Sequence, residues 1–495
     1  MPTLTVTCGF QTRCQEFPVG TRLYDALLFL GFDAGGACGG HGTCGKCRVE
    51  ILYENRSVSA CHTFLQTDLS IELRDTAVTD APQRSARPSL ADCYGIAMDL
   101  GTTSLVFYLY SLSDGKKWAF RSLPNPQRRF GADVITRIDH CREGFLPAQR
   151  DSVRQALNEV IADWKREFGF SVIERVVVAG NPTMSHLFWG ISPEGIGVAP
   201  YVPAFLERKT ASGNELGIEA EKIVLLPSIS AFLGGDMVAG ALTVSWDLHD
   251  SILLIDLGTN GEIILGHQGR FFGCSAATGP AFEGANLACG MGGWPGAICR
   301  VGKNGDDLVW KTIAEEFPIG LCGSGLVDLI SCLLAAGLID ESGAFDPEST
   351  HPLRSRLCND TFYLTETVYL TQKDIRQFQL AKAAIRAAVE TLLAHVGIEP
   401  SRVDQVVLAG GFGFYLDPDA AFRTGLLPEV FRGKTLSAGN TSGTGAVLCL
   451  LDPGLEPVAD RWAQAVETLD LMRAPGFNDR FVVYMGFGEP EEESM

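Results

Sequence analysis

The chain has 495 residues, 46% of them hydrophobic and 20% charged, with a formal net charge of −19. That length suggests two to four domains with ample material for large cores. The acidic balance argues against nucleic acid as the main partner and against binding to an anionic membrane surface. No apolar run approaches the ~20 residues that span a bilayer. The opening MPTLTVTCGF lacks the basic start and apolar core of a signal peptide. A cytoplasmic location is therefore expected, with the 15 cysteines as reduced thiols or metal ligands rather than disulfides. Cys274, Cys299, Cys332 and Cys449 sit singly in apolar contexts and read as small core residues.

Residues 4–8 and 14–18 read as a hairpin, 22–30 as an amphipathic helix, and 48–53 and 69–73 as further strands. Cys8 and Cys14 fall on the hairpin and read as structural. Four other cysteines stand apart: Cys38, Cys44 and Cys47 in GGACGGHGTCGKCRVEI, and Cys61 in VSACHTF. Thiols separated mainly by glycines cannot be a hydrophobic core. A glycine loop can wrap a metal centre and donate N–H groups to sulfur. Zinc is the plain alternative, because Cys44-x-x-Cys47 is a common half-site. The second half lacks a paired C-x-x-C or H-x-H, with only Cys61-His62 and His41 to hand, and the long loop suits a two-iron cluster better. Residues 76–93 are polar, proline-containing and aperiodic, and read as a linker.

At residues 95–106 the chain reads GIAMDLGTTSLV, an apolar strand ending in Asp99, Gly101, Thr102 and Thr103. Residues 125–138, NPQRRFGADVITRI, pass from a proline turn into a helical pattern. Residues 175–187 give a strand, then Asn181 opening a helix, which serves equally as an anion site or a plain capped helix. The hairpin of residues 95–106 recurs at 251–266 as SILLIDLGTNGEIILG, with Asp256, Gly258, Thr259, Asn260, Gly261 and Glu262. Its glycines let the backbone approach a ligand, and freed N–H groups with the Thr259 hydroxyl can bind phosphate oxygens. Asp256 is placed to hold a metal ion, Mg²⁺ beside a nucleotide, or its water. Residues 273–293 are Gly-, Ala- and Ser-rich and read as a backbone-lined loop. Gly323 and Ser324 open a helix over 326–334, a candidate phosphate or lobe contact. Residues 374–393 form a long amphipathic helix carrying Gln379 and Lys382. Residues 406–413, VVLAGGFG, place Gly410, Gly411 and Gly413 after a strand, and 441–446 begin another helix. The tail, EPEEESM, is acidic and reads as disordered.

Two phosphate hairpins one domain-length apart, followed by a glycine pair, resemble the superfamily of actin, hexokinase, acetate kinase and the large heat-shock chaperones. The resemblance implies a two-lobed α/β actin-like (ribonuclease H-like) ATPase, with lobes over 94–248 and 249–488 facing each other across ATP. Adenosine would rest near Gly410, Gly411 and Gly413, with Gln379 and Lys382 at matching positions. Residues 225–242 resemble the segment joining the lobes, making Asp236 a candidate for orienting the hydrolytic water beside Asp99 and Asp256. The first 75 residues resemble the β-grasp [2Fe–2S] ferredoxins, an α+β fold, which implies Cys38, Cys44, Cys47 and Cys61 as ligands. Five residues separate the first two, as in vertebrate-type proteins. Cys61 follows sooner than the usual fourth ligand.

The fusion resembles one family, the reductive activators of corrinoid proteins, through ACGGHGTCGKC, GIAMDLGTTS, NPQRRFGADVITRI, AGNPTMSHL, LIDLGTNGEI, CGSGLVDLI, QLAKAAIRAA and LAGGFG. It implies reduction of a Co(II) corrinoid protein to Co(I) at the expense of ATP. The electron would be supplied through the [2Fe–2S] cluster, itself filled by a low-potential donor, a ferredoxin- or flavodoxin-like protein or its reductase. Larger members carry an extra domain for which 76–93 leaves no room. The alternatives are a redox-gated chaperone-like binding module and a small-molecule kinase of the same superfamily. Activators of radical dehydratases resemble cluster-sharing dimers without a β-grasp domain. The sequence leaves a homodimer open.

Overall fold

The computed structural model describes all residues except 9–10, 31, 33–46, 53–55, 74–77, 80–92, 248–249, 285, 411, 413–415 and 489–495. Its contacts divide the chain into two units, Met1–Leu225 and Leu226–Met495.

The first unit begins with β1 (Thr3–Cys8) and β2 (Gln11–Glu16), an antiparallel hairpin, followed by α1 (Leu23–Leu30). Then come β3 (Arg48–Ile51), β4 (Arg56–Ser59) and β5 (Leu69–Leu73). The sheet order is β2-β1-β5-β3-β4, with β1 and β5 parallel. Period-two alternation puts Leu4 and Val6 of β1 and Ile71 of β5 into one core with Leu23 and Leu27 of α1. Cys14 lies on β2 with its thiol exposed, accepting a hydrogen bond from the Thr5 hydroxyl.

Within the stretch expected as linker, β6 (Val78–Thr79) pairs with the edge of the next sheet; 76–77 and 80–92 lie outside the described residues. That sheet contains β7 (Tyr94–Leu100), β8 (Ser104–Ser111), β9 (Lys117–Pro124), β10 (Ile173–Gly180), β11 (Lys209–Ser212) and β12 (Lys222–Leu225). Its order is β11-β12-β10-β7-β8-β9-β6. Between β9 and β10 lie a 3₁₀ turn (Pro126–Phe130), α2 (Val134–His140) and α3 (Leu146–Phe168). α4 (Pro182–Trp189) follows β10 and α5 (Gly213–Leu216) follows β11. Val153, Leu157, Val160, Ile161 and Trp164, at helical spacing on α3, share a core with Ile96, Met98 and Val176 of the sheet.

The second unit opens with α6 (Gly235–Leu242), then β13 (Ser251–Leu257), β14 (Gly261–His267) and β15 (Arg270–Ala276). A smaller sheet follows, of β16 (Ala297–Asn304), β17 (Asp307–Thr312) and β18 (Gly320–Leu321), with α7 (Gly323–Ala335) behind it. Another has β19 (Leu357–Cys358), β20 (Thr361–Tyr363) and β21 (Tyr369–Thr371). α8 (Gln372–Val396) starts at a Thr371/Asp374 capping box and ends at the left-handed Gly397. It leads to β22 (Gln405–Ala409), α9 (Pro418–Arg423), β23 (Thr435–Gly439), α10 (Thr441–Leu451), α11 (Glu456–Ala465), β24 (Val466–Thr468) and α12 (Phe477–Val483). The main sheet runs β23-β22-β13-β14-β15-β24.

One topology is repeated. In β9-β8-β7-β10-β12 and again in β15-β14-β13-β22-β23, three antiparallel strands continue into two parallel ones. The central strands β7 and β13 are the two apolar runs ending in Asp99 and Asp256. α6 crosses α10 so closely that a Cβ on Gly445 would lie 1.9 Å from the Ala239 carbonyl oxygen. That contact draws residues 226–247 into the second unit, so the division by contacts precedes the 248/249 junction expected from the sequence.

Candidate functional site

In the second unit, β13 is buried along its length between β14 and β22, and its polar residue Asp256 stands at the carboxyl end, half-buried. The turn closes through Gly258 N–H to the Asn260 carbonyl at 3.0 Å. Thr259 donates its hydroxyl to Glu283 at 2.6 Å, and its carbonyl accepts the Thr278 hydroxyl at 2.8 Å. Gly261 lies against α8, where a Cβ would meet Ile385 at 2.9 Å.

Glu262 pairs in register with Asp256 and is buried. Its carboxyl is pushed well above the usual carboxylate range, by burial first and then by the charges of Asp236 and Asp256. Asp236, in the first turn of α6, thus shares one electrostatic neighbourhood with the hairpin. Gly410 follows β22 at φ +92°, and a Cβ there would lie 2.6 Å from Asp256 Oδ1. Glycine at this position keeps that oxygen uncrowded. Gly411 and Gly413 lie outside the described residues.

The first unit's hairpin carries Asp99 half-buried near the end of β7. Its turn is held by side chains from three other segments. Asn125 donates to the Gly101 carbonyl at 2.7 Å, and its own N–H bonds the Thr103 carbonyl at 2.9 Å. Asn181, the N-cap of α4, donates to the Thr102 hydroxyl at 2.9 Å. Arg137, wholly buried, donates to the carbonyls of Thr102 at 2.6 Å and Gly131 at 2.9 Å. Sequence reasoning did not single out Asn125, Arg137 or Glu283. The signals were there: an Asn-Pro turn, an arginine among apolar helical positions, and the single charged residue of 273–293.

Gly323 and Ser324 open α7 as expected, but their surroundings are packed. The Ser324 hydroxyl donates to the Cys299 carbonyl at 2.8 Å, and a Cβ on Gly323 would meet the Phe282 carbonyl oxygen at 1.9 Å. Farther along α7, Asp328 accepts from Val301 N–H at 3.0 Å and pairs with Arg300 at 3.0 Å; burial pushes its carboxyl up to about 6. Gln379 and Lys382 are also buried. Gln379 donates to the carbonyls of Ser342 at 2.9 Å and Met485 at 2.6 Å, and Lys382 donates to the Gly486 carbonyl and lies over the Phe487 ring. A C-terminal strap therefore occupies the side chains expected beside adenosine. Tyr484 anchors it through Glu390, with Arg386 over its ring.

In the N-terminal sheet, Cys47 and Cys61 are buried and converge, their sulfurs 3.1 Å apart, and Cys61 N–H donates to Cys47 Sγ at 3.4 Å. Cys38 and Cys44 lie outside the described residues. Among the described residues no group of three or more His, Cys, Asp or Glu side chains is arranged to hold a metal ion, and no helix is long and apolar enough to cross a membrane. Cys274, Cys299, Cys332 and Cys449 are buried, as their apolar contexts predict.

A repeated sheet whose central strand ends each time in an Asp-x-Gly-Thr hairpin defines an actin-like ATPase. Residues 250–494 match the family model described as the C-terminal domain of RACo, the ASKHA domain, and 94–250 match the RACo middle region. A corrinoid activation enzyme, RamQ, of Eubacterium limosum is 35% identical over 421 residues, covering 80% of this chain and 70% of the relative. A Co(II) methylated amine-specific corrinoid protein reductase of Methanosarcina barkeri is 26% identical over 386 residues, 70% of this chain and 68% of that one. The solved structure of a reductive activator for corrinoid, iron–sulfur protein superposes with a TM-score of 0.74 at 28% identity, covering 98% of both chains. The chain belongs to the RACo family, the reductive activators of corrinoid proteins.

Proposed function

We propose that this protein reduces the cobalt of a methyltransferase corrinoid protein from Co(II) to Co(I) in the cytoplasm, with ATP driving the step. The likeness over 98% of both chains to a reductive activator carries the reading. The hairpins at Asp99–Thr103 and Asp256–Glu262 contact the phosphates, with adenosine beside Gly410–Gly413. Asp99 and Asp256 position Mg²⁺ and its water, and Asp236 orients the attacking water. Asp236 and Asp256 both act on the buried Glu262 through their charge, which sets α6 and the hairpin in one electrostatic neighbourhood and supports their proposed joint role. Gln379 and Lys382 are available to adenosine only where the strap at Met485–Phe487 moves off them.

We read the N-terminal sheet as a β-grasp ferredoxin module, which its strand order and parallel β1–β5 pair support. Cys38, Cys44, Cys47 and Cys61 would hold a [2Fe–2S] cluster. The fit rests on two buried thiols meeting where a metal can bridge them. When bound, such a cluster supplies a one-electron carrier near roughly −400 mV, filled by a low-potential ferredoxin- or flavodoxin-like donor. If cobalt lies ~200 mV lower, the electron climbs about 5 kcal/mol at ~59 mV per tenfold. ATP covers that by favouring the arrangement in which the partner's cobalt is more easily reduced.

The test follows the corrinoid spectrum of a Co(II) partner mixed with the full chain and a low-potential reductant. Co(I), or methyl-Co(III) with a methyl donor, should form on addition of ATP and scarcely without it. Equal reduction in both conditions would discard the energy coupling.

A further inference from the structure

We propose that the Ser59 hydroxyl donates a hydrogen bond to the cysteine sulfurs of the iron–sulfur cluster and thereby raises its reduction potential; this rests on reading the N-terminal sheet as the cluster module. Ser59 ends β4 opposite Arg48, and its Oγ lies 3.3 Å from Cys47 Sγ and 3.2 Å from Cys61 Sγ. Its backbone is fixed on both sides. The Thr63 hydroxyl donates to the Ser59 carbonyl at 2.8 Å, and Ala60 N–H donates to the Cys47 carbonyl at 2.7 Å. A hydroxyl held between two sulfurs by the backbone is not a wandering surface serine.

The direction of the bond follows from chemistry. A thiolate bound to iron has no proton to give, so only Ser59 can donate. Reduction adds one electron, and part of that charge spreads onto the sulfurs, so a donor stabilises the reduced form more than the oxidised one. Arg22 also lies near Cys61, but its guanidinium is committed first to Asp25, with bonds at 3.0 and 2.6 Å. A buried sulfur pair otherwise has little water to take up the added charge. In this position Ser59 makes the cluster easier to charge by its donor and correspondingly less reducing toward cobalt.

The experiment compares the full chain with Ser59→Ala and Ser59→Thr, all loaded anaerobically with iron and sulfide, by redox titration of the visible spectrum. Loss of one hydrogen bond should raise the oxidised-to-reduced ratio at fixed poise roughly fivefold, about 40 mV more negative at 59 mV per tenfold. Ser59→Thr, which keeps the hydroxyl, should restore the wild-type value. An intact cluster with an unchanged potential in Ser59→Ala overturns the proposal alone. Stoichiometric zinc and no iron in the wild-type chain overturns the cluster reading and the proposal with it. If Ser59→Ala does not hold the cluster, the isosteric pair Ser59→Thr and Ser59→Val decides: a more negative potential in Ser59→Val supports the proposal, and equal potentials refute it.

Discussion

Gly410→Ala tests how tightly the glycine turn is built around Asp256. At φ +92° the new methyl group would lie 2.6 Å from Asp256 Oδ1 and 2.7 Å from the Leu257 carbonyl oxygen. Gly433 provides the control, at φ +78° with nothing within 4 Å of its would-be Cβ. Gly433→Ala should therefore carry only the left-handed backbone cost of about 1–2 kcal/mol. Gly410→Ala adds about 1–3 kcal/mol of overpacking, because the Leu257 carbonyl is fixed in the sheet and only the Asp256 carboxylate can yield. Each kcal/mol lowers Tm by roughly 2–4 °C in a unit of this size. The melting curves should thus separate by several degrees. A carboxylate displaced by about 1 Å can cost about 10²-fold in rate, so ATP hydrolysis should collapse in Gly410→Ala and persist in Gly433→Ala. The reasoning fails if the two variants melt together and Gly410→Ala hydrolyses ATP at the wild-type rate.

Asp256→Ala should lower hydrolysis by about 10²-fold or more while ATP affinity changes far less, since a carboxylate in the metal-orienting role proposed for it acts mainly on the transition state; calorimetric ATP titration beside a phosphate-release assay checks it. Arg137→Leu should destabilise the first unit by at least about 1.5–3 kcal/mol, the worth of a charged hydrogen bond, and slacken the Thr102 turn, seen as a lowered Tm with weakened ATP binding. Asp328→Asn should flatten part of the pH dependence of stability. A carboxyl raised to about 6 in the folded state contributes stability below its unfolded value near 4, which is lost as pH rises through about 6, up to roughly 3 kcal/mol. Comparing denaturant midpoints of the two proteins between those limits measures the difference. Tyr484→Phe should cost about 1–3 kcal/mol by leaving Glu390 short of a donor and speed hydrogen exchange of the Met485–Gly488 amides.

The parts of the fold set by backbone patterning were legible from the residues. The central strands read as apolar runs because both faces are covered, and Asp99 and Asp256 stand out because polarity at the end of such a strand has no packing reason. The helix expected over 374–393 is Gln372–Val396, displaced mainly at its ends, where a capping box and a left-handed glycine set the limits. Long-range side-chain commitments were not legible. Lys382 reads as a solvated lysine until Gly486 and Phe487 arrive from 104 and more residues away. Arg137 is the same kind of case, since its partners are carbonyls, which every residue has and no sequence pattern marks. Nothing in the sequence marks Ser59, because only the folded chain brings Cys47 and Cys61 together on either side of its hydroxyl.

The C-terminal strap also sets a schedule for biosynthesis. Lys382 emerges 104 residues before the Gly486 carbonyl, and Gln379, which also has the earlier Ser342 carbonyl, 106 residues before that of Met485. At about 5–20 residues per second, α8 waits roughly 5–20 s with a cation and an amide on a face meant for burial. During that interval the helix must remain hydrated along that face or be sheltered by a chaperone, because a buried amine without its acceptor is costly. A chain cut before residue 484 lacks the Met485 and Gly486 carbonyls and the Phe487 ring that cover this face of α8.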